Sequence, residues 1–173
     1  MQQDDSAGDK NLSFFVVMGV SGCGKTTIGK ALATHLNCPF YDGDDFHPPE
    51  NVAKMAEGIP LEDTDRVPWL AHLAALIQAH LDKGETAVLA CSALKKQYRK
   101  QLQVSQHIQF IYLDGSFDLV WQRMQARQNH YMKADMLHSQ FETLEQPEAN
   151  EAIIIPIDQD VADILAMILQ KIS

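Results

Sequence analysis

The stretch Gly19-Val20-Ser21-Gly22-Cys23-Gly24-Lys25-Thr26 decides the fold of this chain. An apolar run, residues 14–18, comes directly before it, and an amphipathic segment, residues 25–36, follows it. A glycine-rich turn of the form G-x-x-x-x-G-K-T between a strand and a helix is a phosphate loop, because residues without Cβ atoms let backbone N–H groups converge on an anion. The N-terminus of the following helix adds to the same anion site. The stretch therefore predicts a nucleotide phosphate site.

The residue types within the loop have separate tasks. Lys25 is expected to neutralise the β- and γ-phosphates, and the Thr26 hydroxyl is placed to ligate Mg²⁺. Cys23 stands at a variable position, where a small filler is a better interpretation than a nucleophile. An accidental match of the four fixed letters is expected in under about 1% of chains of this length. The predicted ATP-binding residues of the loop are Gly19, Val20, Ser21, Gly22, Cys23, Gly24, Lys25, Thr26 and Thr27.

Apolar runs and helical patterns alternate along the rest of the chain. Continuous apolar runs rich in β-branched residues indicate strands buried on both faces, and helices between such strands indicate right-handed βαβ units in a parallel sheet. We predict an α/β fold with one domain over residues 13–173 and a mobile tail over residues 1–12. The predicted strands are 14–18, 39–41, 86–91, 108–113 and 152–157. The predicted helices are 25–36, 65–81, 95–102, 117–127, 134–144 and 160–172.

Composition narrows the choice of partners. The chain has 173 residues and a formal net charge of -9, which disfavours nucleic-acid and anionic-lipid binding unless cations are concentrated locally. It contains no stretch of about 18 apolar residues that would span a membrane, and residues 1–6 lack the features of a signal peptide. Three scattered cysteines form neither a disulfide framework nor a CxxC metal pair. We expect a cytoplasmic protein.

The loop alone does not separate kinases from GTPases and motor ATPases. The Asn-Lys-x-Asp guanine reader of a GTPase is absent from the sequence. Asp114, after the fourth predicted strand, is the nearest match to the strand-ending acid of a motor ATPase, and a turn aspartate before a helix is the better interpretation. A regulatory protein that binds ATP without a small acceptor is a further alternative.

The end of the second predicted strand carries an acid pair, Asp42 and Asp44. In an open parallel sheet the carboxyl ends of the strands form the ligand crevice, so both carboxylates are expected beside the phosphate loop. Asp42 would hold Mg²⁺ through water, and Asp44 would accept a proton from an attacking hydroxyl. The alternative is an Asx turn that caps the strand.

Basic residues follow other strand ends. Arg66 near a helix start opposes the helix dipole, which either an anionic ligand or the acids around it would resolve. Lys95 and Arg99 are spaced to share one helical face, close to Ser92. Arg123 and Arg127 precede a polar connection with the composition of a lid, where arginines would stabilise the transferred phosphoryl group. The alternative for each arginine taken singly is a surface charge. The predicted catalytic residues are Lys25, Asp44 and Arg127.

From about Phe14 to its end the chain resembles the gluconokinase family. The resemblance depends on five segments in the family's order: GVSGCGKT at 19–26, DGDDFHPPENVAKMAEGIPLEDTDRVPWL at 42–70, CSALKKQYR at 91–99, ARQNHYM at 126–132 and QFETLEQP at 140–147. It implies a three-layer P-loop kinase fold with sheet order 2-3-1-4-5, helices on both faces and a small lid. It also implies a homodimer that uses ATP and Mg²⁺ to phosphorylate the 6-hydroxyl of D-gluconate, feeding the pentose phosphate route. One departure is Cys23, where many relatives carry Ser.

A substrate with a carboxylate and a chain of hydroxyls needs cations at one end and hydrogen-bonding groups along its length. The expected carboxylate partners are Lys54, Arg66, Lys95 and Arg99, and the expected hydroxyl readers are His47, Ser92 and His130, beside Asp44 as base. Fold analogy alone places Arg123 and residues 157–160 at the adenine. Shikimate kinase and nucleotide kinases are the nearest rivals, although shikimate kinases carry a glycine triplet where Cys91-Ser92-Ala93 stands here.

Overall fold

The computed structural model describes residues 12–127 and 133–172. Within them, five strands form one parallel sheet in the order β2-β3-β1-β4-β5, which confirms the predicted α/β architecture. The strands are β1 Phe14–Met18, β2 Phe40–Asp42, β3 Ala87–Ala90, β4 Ile108–Asp114 and β5 Ala152–Pro156. Each predicted strand is present, with ends shifted by at most one residue. Residues 1–11 of the expected tail lie outside the described ranges.

Seven α-helices are described in these ranges, six of which match the predicted segments. They are α1 Lys25–Leu36, α2 Pro49–Ala56, α3 Asp63–Asp82, α4 Lys96–Leu102, α5 Phe117–Ala126, α6 Ala134–Thr143 and α7 Val161–Ile172. Sequence reasoning missed α2 and the short 3-10 helix Gly43–Phe46 before it. The reason is that α2 has only eight residues, too few for apolar periodicity to distinguish a helix, and the one residue that it buries is the polar Asn51.

Apolar side chains cover both faces of the sheet. On one face Phe15 and Val17 pack with α1, α5 and α7, and on the other face Phe14 and Val16 pack with α3 and α4. Successive residues of a strand point to opposite faces, so β1 must be apolar throughout when both faces are covered. This explains why the strands read as continuous apolar runs. No helix among the described residues has the length and apolarity needed to span a membrane.

The carboxyl ends of β1, β2 and β3 meet at one edge of the sheet. The Gly19 N–H, after β1, donates to the Ser92 carbonyl, after β3, at 3.3 Å. A Cβ at Gly43, after β2, would lie 2.7 Å from the Ala90 carbonyl oxygen, so the chain can turn here only without a side chain. These close approaches bring the phosphate loop, the acid pair and the β3–α4 turn to one crevice.

Candidate active site

The phosphate loop has the backbone conformation that its glycines predict. Gly22 has φ 80°, and a Cβ there would lie 2.5 Å from Met124 Cγ. Gly19 has φ 146°, and its Cβ would lie 2.8 Å from Cys23 Sγ. Any side chain at either position would meet both backbone strain and a buried neighbour. The loop therefore keeps its backbone amides free of side chains on the inside of the turn.

Lys25 and Cys23 behave as two different kinds of loop residue. The Lys25 ammonium donates to the carbonyl oxygens of Gly19 and Val20, each at 3.0 Å, which holds the charge at the mouth of the loop. Cys23 is buried, and burial raises the pKa of its thiol. A buried thiol that stays protonated is a filler and a poor nucleophile, as the sequence interpretation has it.

Gln140 in α6 contacts the loop from a position 119 residues away. Its Oε1 accepts from the Ser21 backbone N–H at 2.7 Å, and its Nε2 donates to Ser21 Oγ at 2.9 Å. The two bonds fix the amide orientation of Gln140 and the rotamer of Ser21. Sequence analysis did not select Gln140, although it opens one of the family-like segments, QFETLEQP.

The acid pair at the end of β2 divides into a capping residue and an exposed one. Asp42 Oδ1 accepts from the Asp44 backbone N–H at 3.0 Å, so the Asx turn is present and leaves one Asp42 oxygen for other partners. Desolvation, with a smaller contribution from the Asp42 charge, raises the pKa of Asp44, and Lys25 opposes the shift. Solvent still reaches 84% of the Asp44 side chain, which screens this shift and leaves the carboxylate open to a ligand.

His47 is held as a neutral imidazole beside Asp44. Its ring is stacked on Trp69, with centroids 4.2 Å apart, and its side chain is 4% exposed. Burial, with a smaller contribution from the Arg66 charge, lowers the pKa of His47 to about 4. Its Nε2 lies 3.9 Å from Asp44 Oδ1, so a neutral ring faces the exposed carboxylate. Trp69, which the sequence analysis did not select, supports this arrangement by donating from Nε1 to the Gly43 carbonyl at 2.8 Å.

Three of the four predicted carboxylate-binding cations already lie within 4.0 Å of an acid: Lys54, Lys95 and Arg99, the last at 3.8 Å from Glu151. Lys54 donates to both oxygens of Asp65 at 2.9 and 3.0 Å, and Lys95 donates to both oxygens of Asp63 at 2.9 and 3.1 Å. Tyr98 also donates to Asp63, and the bonds from Tyr98 and Lys95 hold the pKa of that carboxyl at about 2. The charge of each ammonium group is therefore already partly neutralised by an acid of the protein before any acceptor binds.

Arg66 has no such partner. It is half-buried in α3, four residues after the N-cap Glu62, and its Nη1 donates to the Leu61 carbonyl at 2.8 Å and to Tyr98 Oη at 3.2 Å. Within residues 12–127 and 133–172, no carboxylate oxygen lies within 4.0 Å of its guanidinium nitrogens. Because its charge also depresses the pKa of His47, Arg66 belongs to the same part of the crevice as the acid pair.

Arg99 does not lie as the sequence predicted. It is 5% exposed and donates to three backbone carbonyls, those of Ala93, Leu94 and Glu145, at 2.8, 3.3 and 2.9 Å. Ala93 has φ 46°, an unfavourable conformation for a residue with a side chain, and Arg99 braces this turn. This differs from our expectation that Arg99 faces the acceptor, because Nη1 bonds to the β3–α4 turn while Nη2 bonds to Glu145, after α6, and lies 3.8 Å from Glu151. Ser92 stays at the crevice through its carbonyl contact with Gly19.

The arginines near the predicted lid occupy the other end of the site. Arg123 in α5 donates from Nη2 to the Gln159 carbonyl, in the loop after β5, at 3.4 Å. Helix α5 ends at Ala126, so Arg127 is the exposed C-cap residue and not the last helical one. His130 and the rest of residues 128–132 lie outside the described ranges.

The chain is similar to known kinases in sequence and in structure. A family model described as shikimate kinase matches residues 21–173. The thermosensitive gluconokinase of Escherichia coli (strain K12) is 46% identical over 91% of this chain and 86% of its own length. The gluconokinase of Gluconobacter oxydans (strain 621H) is 48% identical over 82% of this chain and 80% of its own. The crystal structure of a gluconokinase from Sinorhizobium meliloti 1021 has a TM-score of 0.85 at 40% identity, covering 92% of this chain and 90% of that one.

More distant structures agree on the fold. Shikimate kinase from Aquifex aeolicus vf5 has a TM-score of 0.61 at 18% identity, covering 92% of this chain and 95% of that one. The fold and the phosphate loop thus define a P-loop kinase of the shikimate kinase type. At 40–48% identity over most of its length, the chain belongs to the gluconokinase family.

Proposed function

We propose that this kinase transfers the γ-phosphoryl group of ATP to the 6-hydroxyl of D-gluconate, giving 6-phospho-D-gluconate and ADP. One observation carries the proposal: the crevice holds both an exposed carboxylate and a cation without an acid. The Lys25 charge opposes the rise that desolvation causes in the pKa of the exposed Asp44 carboxyl. Arg66, with no carboxylate partner among the described residues, adds to the lowering that burial causes in the pKa of the neighbouring His47. Such a crevice suits an acceptor that carries both a hydroxyl and a carboxylate. The names of the relatives supply the sugar acid.

On the nucleotide side, the loop amides and the N-terminus of α1 bind the phosphates, and Lys25 offsets the charge of the β- and γ-phosphates. Arg123 covers the adenine together with the loop after β5, a role supported by its contact with the Gln159 carbonyl. Arg127, exposed at the end of α5, stabilises the transferred phosphoryl group. We propose that residues 13–173 form one kinase domain, which contains all of these residues.

The oxygens at the crevice suit Mg²⁺, which prefers hard oxygen ligands and keeps several waters. Thr26, exposed in the first turn of α1, offers a hydroxyl, and Asp42 keeps one carboxylate oxygen outside its Asx turn. When bound with ATP, the ion neutralises phosphate charge. Asp42 would hold it through water, and Thr26 would bind it directly.

On the acceptor side, Asp44 takes the proton of the attacking hydroxyl. The hydroxyl oxygen bonds to the γ-phosphorus as the bond from that phosphorus to ADP breaks and ADP leaves. Arg66 binds the gluconate carboxylate, since it can donate without first breaking an ion pair. His47 and Ser92 read the hydroxyls, with His130 as a third reader. Lys54 and Lys95 are the weaker candidates for this carboxylate, since Asp65 and Asp63 already offset part of their charge.

The test is ADP release from Mg-ATP with gluconate, shikimate or AMP as acceptor, followed by ³¹P-¹H correlation NMR of the product. Of the three acceptors, we expect only gluconate to support turnover, and we expect the phosphorus of the product to couple to the C6 protons. Turnover with shikimate or AMP in place of gluconate contradicts the acceptor assignment, and phosphorus on another carbon contradicts the regiochemistry. We also propose a cytoplasmic homodimer whose product feeds the pentose phosphate route; sedimentation velocity tests the dimer.

A further inference from the structure

Asn51 is a buried polar residue that sequence analysis did not select. Its relative exposure is 2%, and it is the one residue that α2 buries. A buried amide is expected to have hydrogen-bond partners, and those partners define what it does. Asn51 stands four residues after His47, one helical turn along the chain, on the side of the crevice that carries the acid pair.

The hydrogen bonds of Asn51 constrain which ring nitrogen of the neutral His47 carries the proton. Asn51 Nδ2 lies 2.9 Å from the Asp65 carbonyl oxygen and 3.3 Å from His47 Nδ1. Because a backbone carbonyl can only accept, the first contact fixes which end of the amide carries the hydrogens. The second hydrogen then points to His47 Nδ1, which must accept it. A neutral imidazole that accepts at Nδ1 carries its proton at Nε2.

The ring has little freedom to escape this arrangement. His47 is stacked on Trp69 at an interplanar angle of 15°, and Trp69 is itself bonded to the Gly43 carbonyl, in the turn between Asp42 and Asp44. His47 Nε2 therefore faces Asp44 Oδ1 at 3.9 Å. This separation is longer than a hydrogen bond, and the exposed Asp44 carboxylate would have to approach by about 0.7 Å to form one.

We propose that Asn51 is a positioning residue that fixes the Nε2–H tautomer of His47, so that His47 presents a donor to Asp44 and to the acceptor hydroxyl. In the other tautomer the Nε2 lone pair would face the carboxylate and repel it. A neutral donor orients Asp44 without protonating it, and Asp44 stays able to take a proton. The kinetic part of this inference rests on the proposed function, whereas the tautomer does not.

The first test is long-range ¹H-¹⁵N correlation NMR of the ¹⁵N-labelled wild-type protein at neutral pH, which reports which ring nitrogen carries the proton. The chain has seven histidines, so the His47 signal is the one that is missing from His47→Gln. We expect the Nε2–H form. A proton on Nδ1, or an imidazolium, overturns the inference.

The second test is Asn51→Asp, whose carboxylate oxygens can accept from His47 Nδ1 but cannot donate to it. We expect the proton of His47 to move to Nδ1 and kcat to fall by about ten- to a hundred-fold, the value of one charged hydrogen bond, with the ATP KM changed less than about twofold. A kcat near that of the wild type, with the tautomer switched, overturns the role in catalysis.

A matched pair of variants separates positioning from folding. In His47→Gln the amide nitrogen lies near the place of Nε2 and still donates, so kcat should fall only a few-fold. The side chain of His47→Asn is too short to place a donor there, so its kcat should fall as far as that of Asn51→Asp. A glutamine has no tautomers, so Asn51→Asp in the His47→Gln background costs at most a few-fold more. An equal cost of Asn51→Asp in both backgrounds means that Asn51 acts on the fold alone, and the inference fails.

The two ideas fail separately. Absence of gluconate phosphorylation by the wild-type protein overturns the proposed function. The Nδ1–H tautomer, or equal cost in the two backgrounds, overturns the assignment of Asn51.

Discussion

Arg66→Ala is expected to weaken gluconate binding selectively, because Arg66, among the predicted carboxylate partners, has no acid within 4.0 Å in the described part of the chain. Removing a charge-assisted hydrogen bond to a carboxylate costs about 1.5–3 kcal/mol, which is roughly a ten- to hundred-fold rise in the gluconate KM. The ATP KM should change far less, since Arg66 lies with Asp44 and His47 and not at the phosphate loop. Initial rates of ADP release at varied gluconate and varied ATP measure both constants.

Lys95→Ala is the matched comparison. Lys95 is already bonded to Asp63, whose side chain is 51% exposed, and an exposed pair of this kind is worth about 0–1 kcal/mol. The gluconate KM should therefore rise by no more than about fivefold.

Tyr98→Phe controls for the contact that Arg66 makes inside the protein. It removes the hydroxyl at 3.2 Å from Arg66 Nη1 while keeping the ring under the guanidinium, at 5.4 Å from the centroid. A small change in the gluconate KM of Tyr98→Phe, with an unchanged thermal melt in Arg66→Ala and Lys95→Ala, assigns the Arg66→Ala effect to the ligand. Tyr98→Phe is expected to melt lower, because it also loses the bond to Asp63. If the ATP KM rises instead, or if Lys95→Ala has the larger effect, the reasoning is refuted.

Four further predictions concern other parts of the site. Lys25→Ala should abolish turnover while circular dichroism stays unchanged, since the charge on the β- and γ-phosphates is lost; near-normal turnover contradicts the phosphate role. Asp44→Asn should keep gluconate affinity by calorimetry and lower kcat by about 10²-fold or more, whereas Asp42→Asn should show an altered Mg²⁺ dependence; a pure kcat defect in Asp42→Asn alone would reverse the two roles. Gln140→Ala should raise the ATP KM, because Ser21 loses both bonds that hold it; an unchanged ATP KM would separate α6 from the phosphate loop. Urea unfolding should show stability falling by about 2 kcal/mol from pH 7 to pH 5, a dependence that His47→Gln removes.

The sign of the last prediction follows from the depressed pKa of His47. The unfolded chain takes up a proton near the ordinary pKa of 6.5, while the folded ring stays neutral down to about 4. The unfolded state thus binds more protons between these values, so stability is full above pH 6.5 and declines as the pH falls toward 4. A stability that is flat from pH 7 to pH 5 contradicts the buried neutral ring.

The phosphate loop and the sheet could be predicted from the sequence because both depend on local signals. Eight consecutive residues, Gly19 to Thr26, carry the anion site in their own backbone, and strands buried on both faces leave continuous apolar runs. Helix α2 could not be predicted in this way, because it buries one amide and no apolar stripe. Its two hydrogen bonds, and with them the tautomer of His47, depend on the carbonyl of Asp65 in α3.

The four predicted cations show most clearly what the tertiary structure decided. In the sequence, Lys54, Arg66, Lys95 and Arg99 are equivalent positive charges near acids. Only the packing of α2, α3 and α4 pairs Lys54 with Asp65 and Lys95 with Asp63, turns Arg99 inward onto three carbonyls and leaves Arg66 without an acid among the described residues. A charge is a property of one residue, whereas its availability depends on neighbours up to 46 positions away, and those are set by the fold.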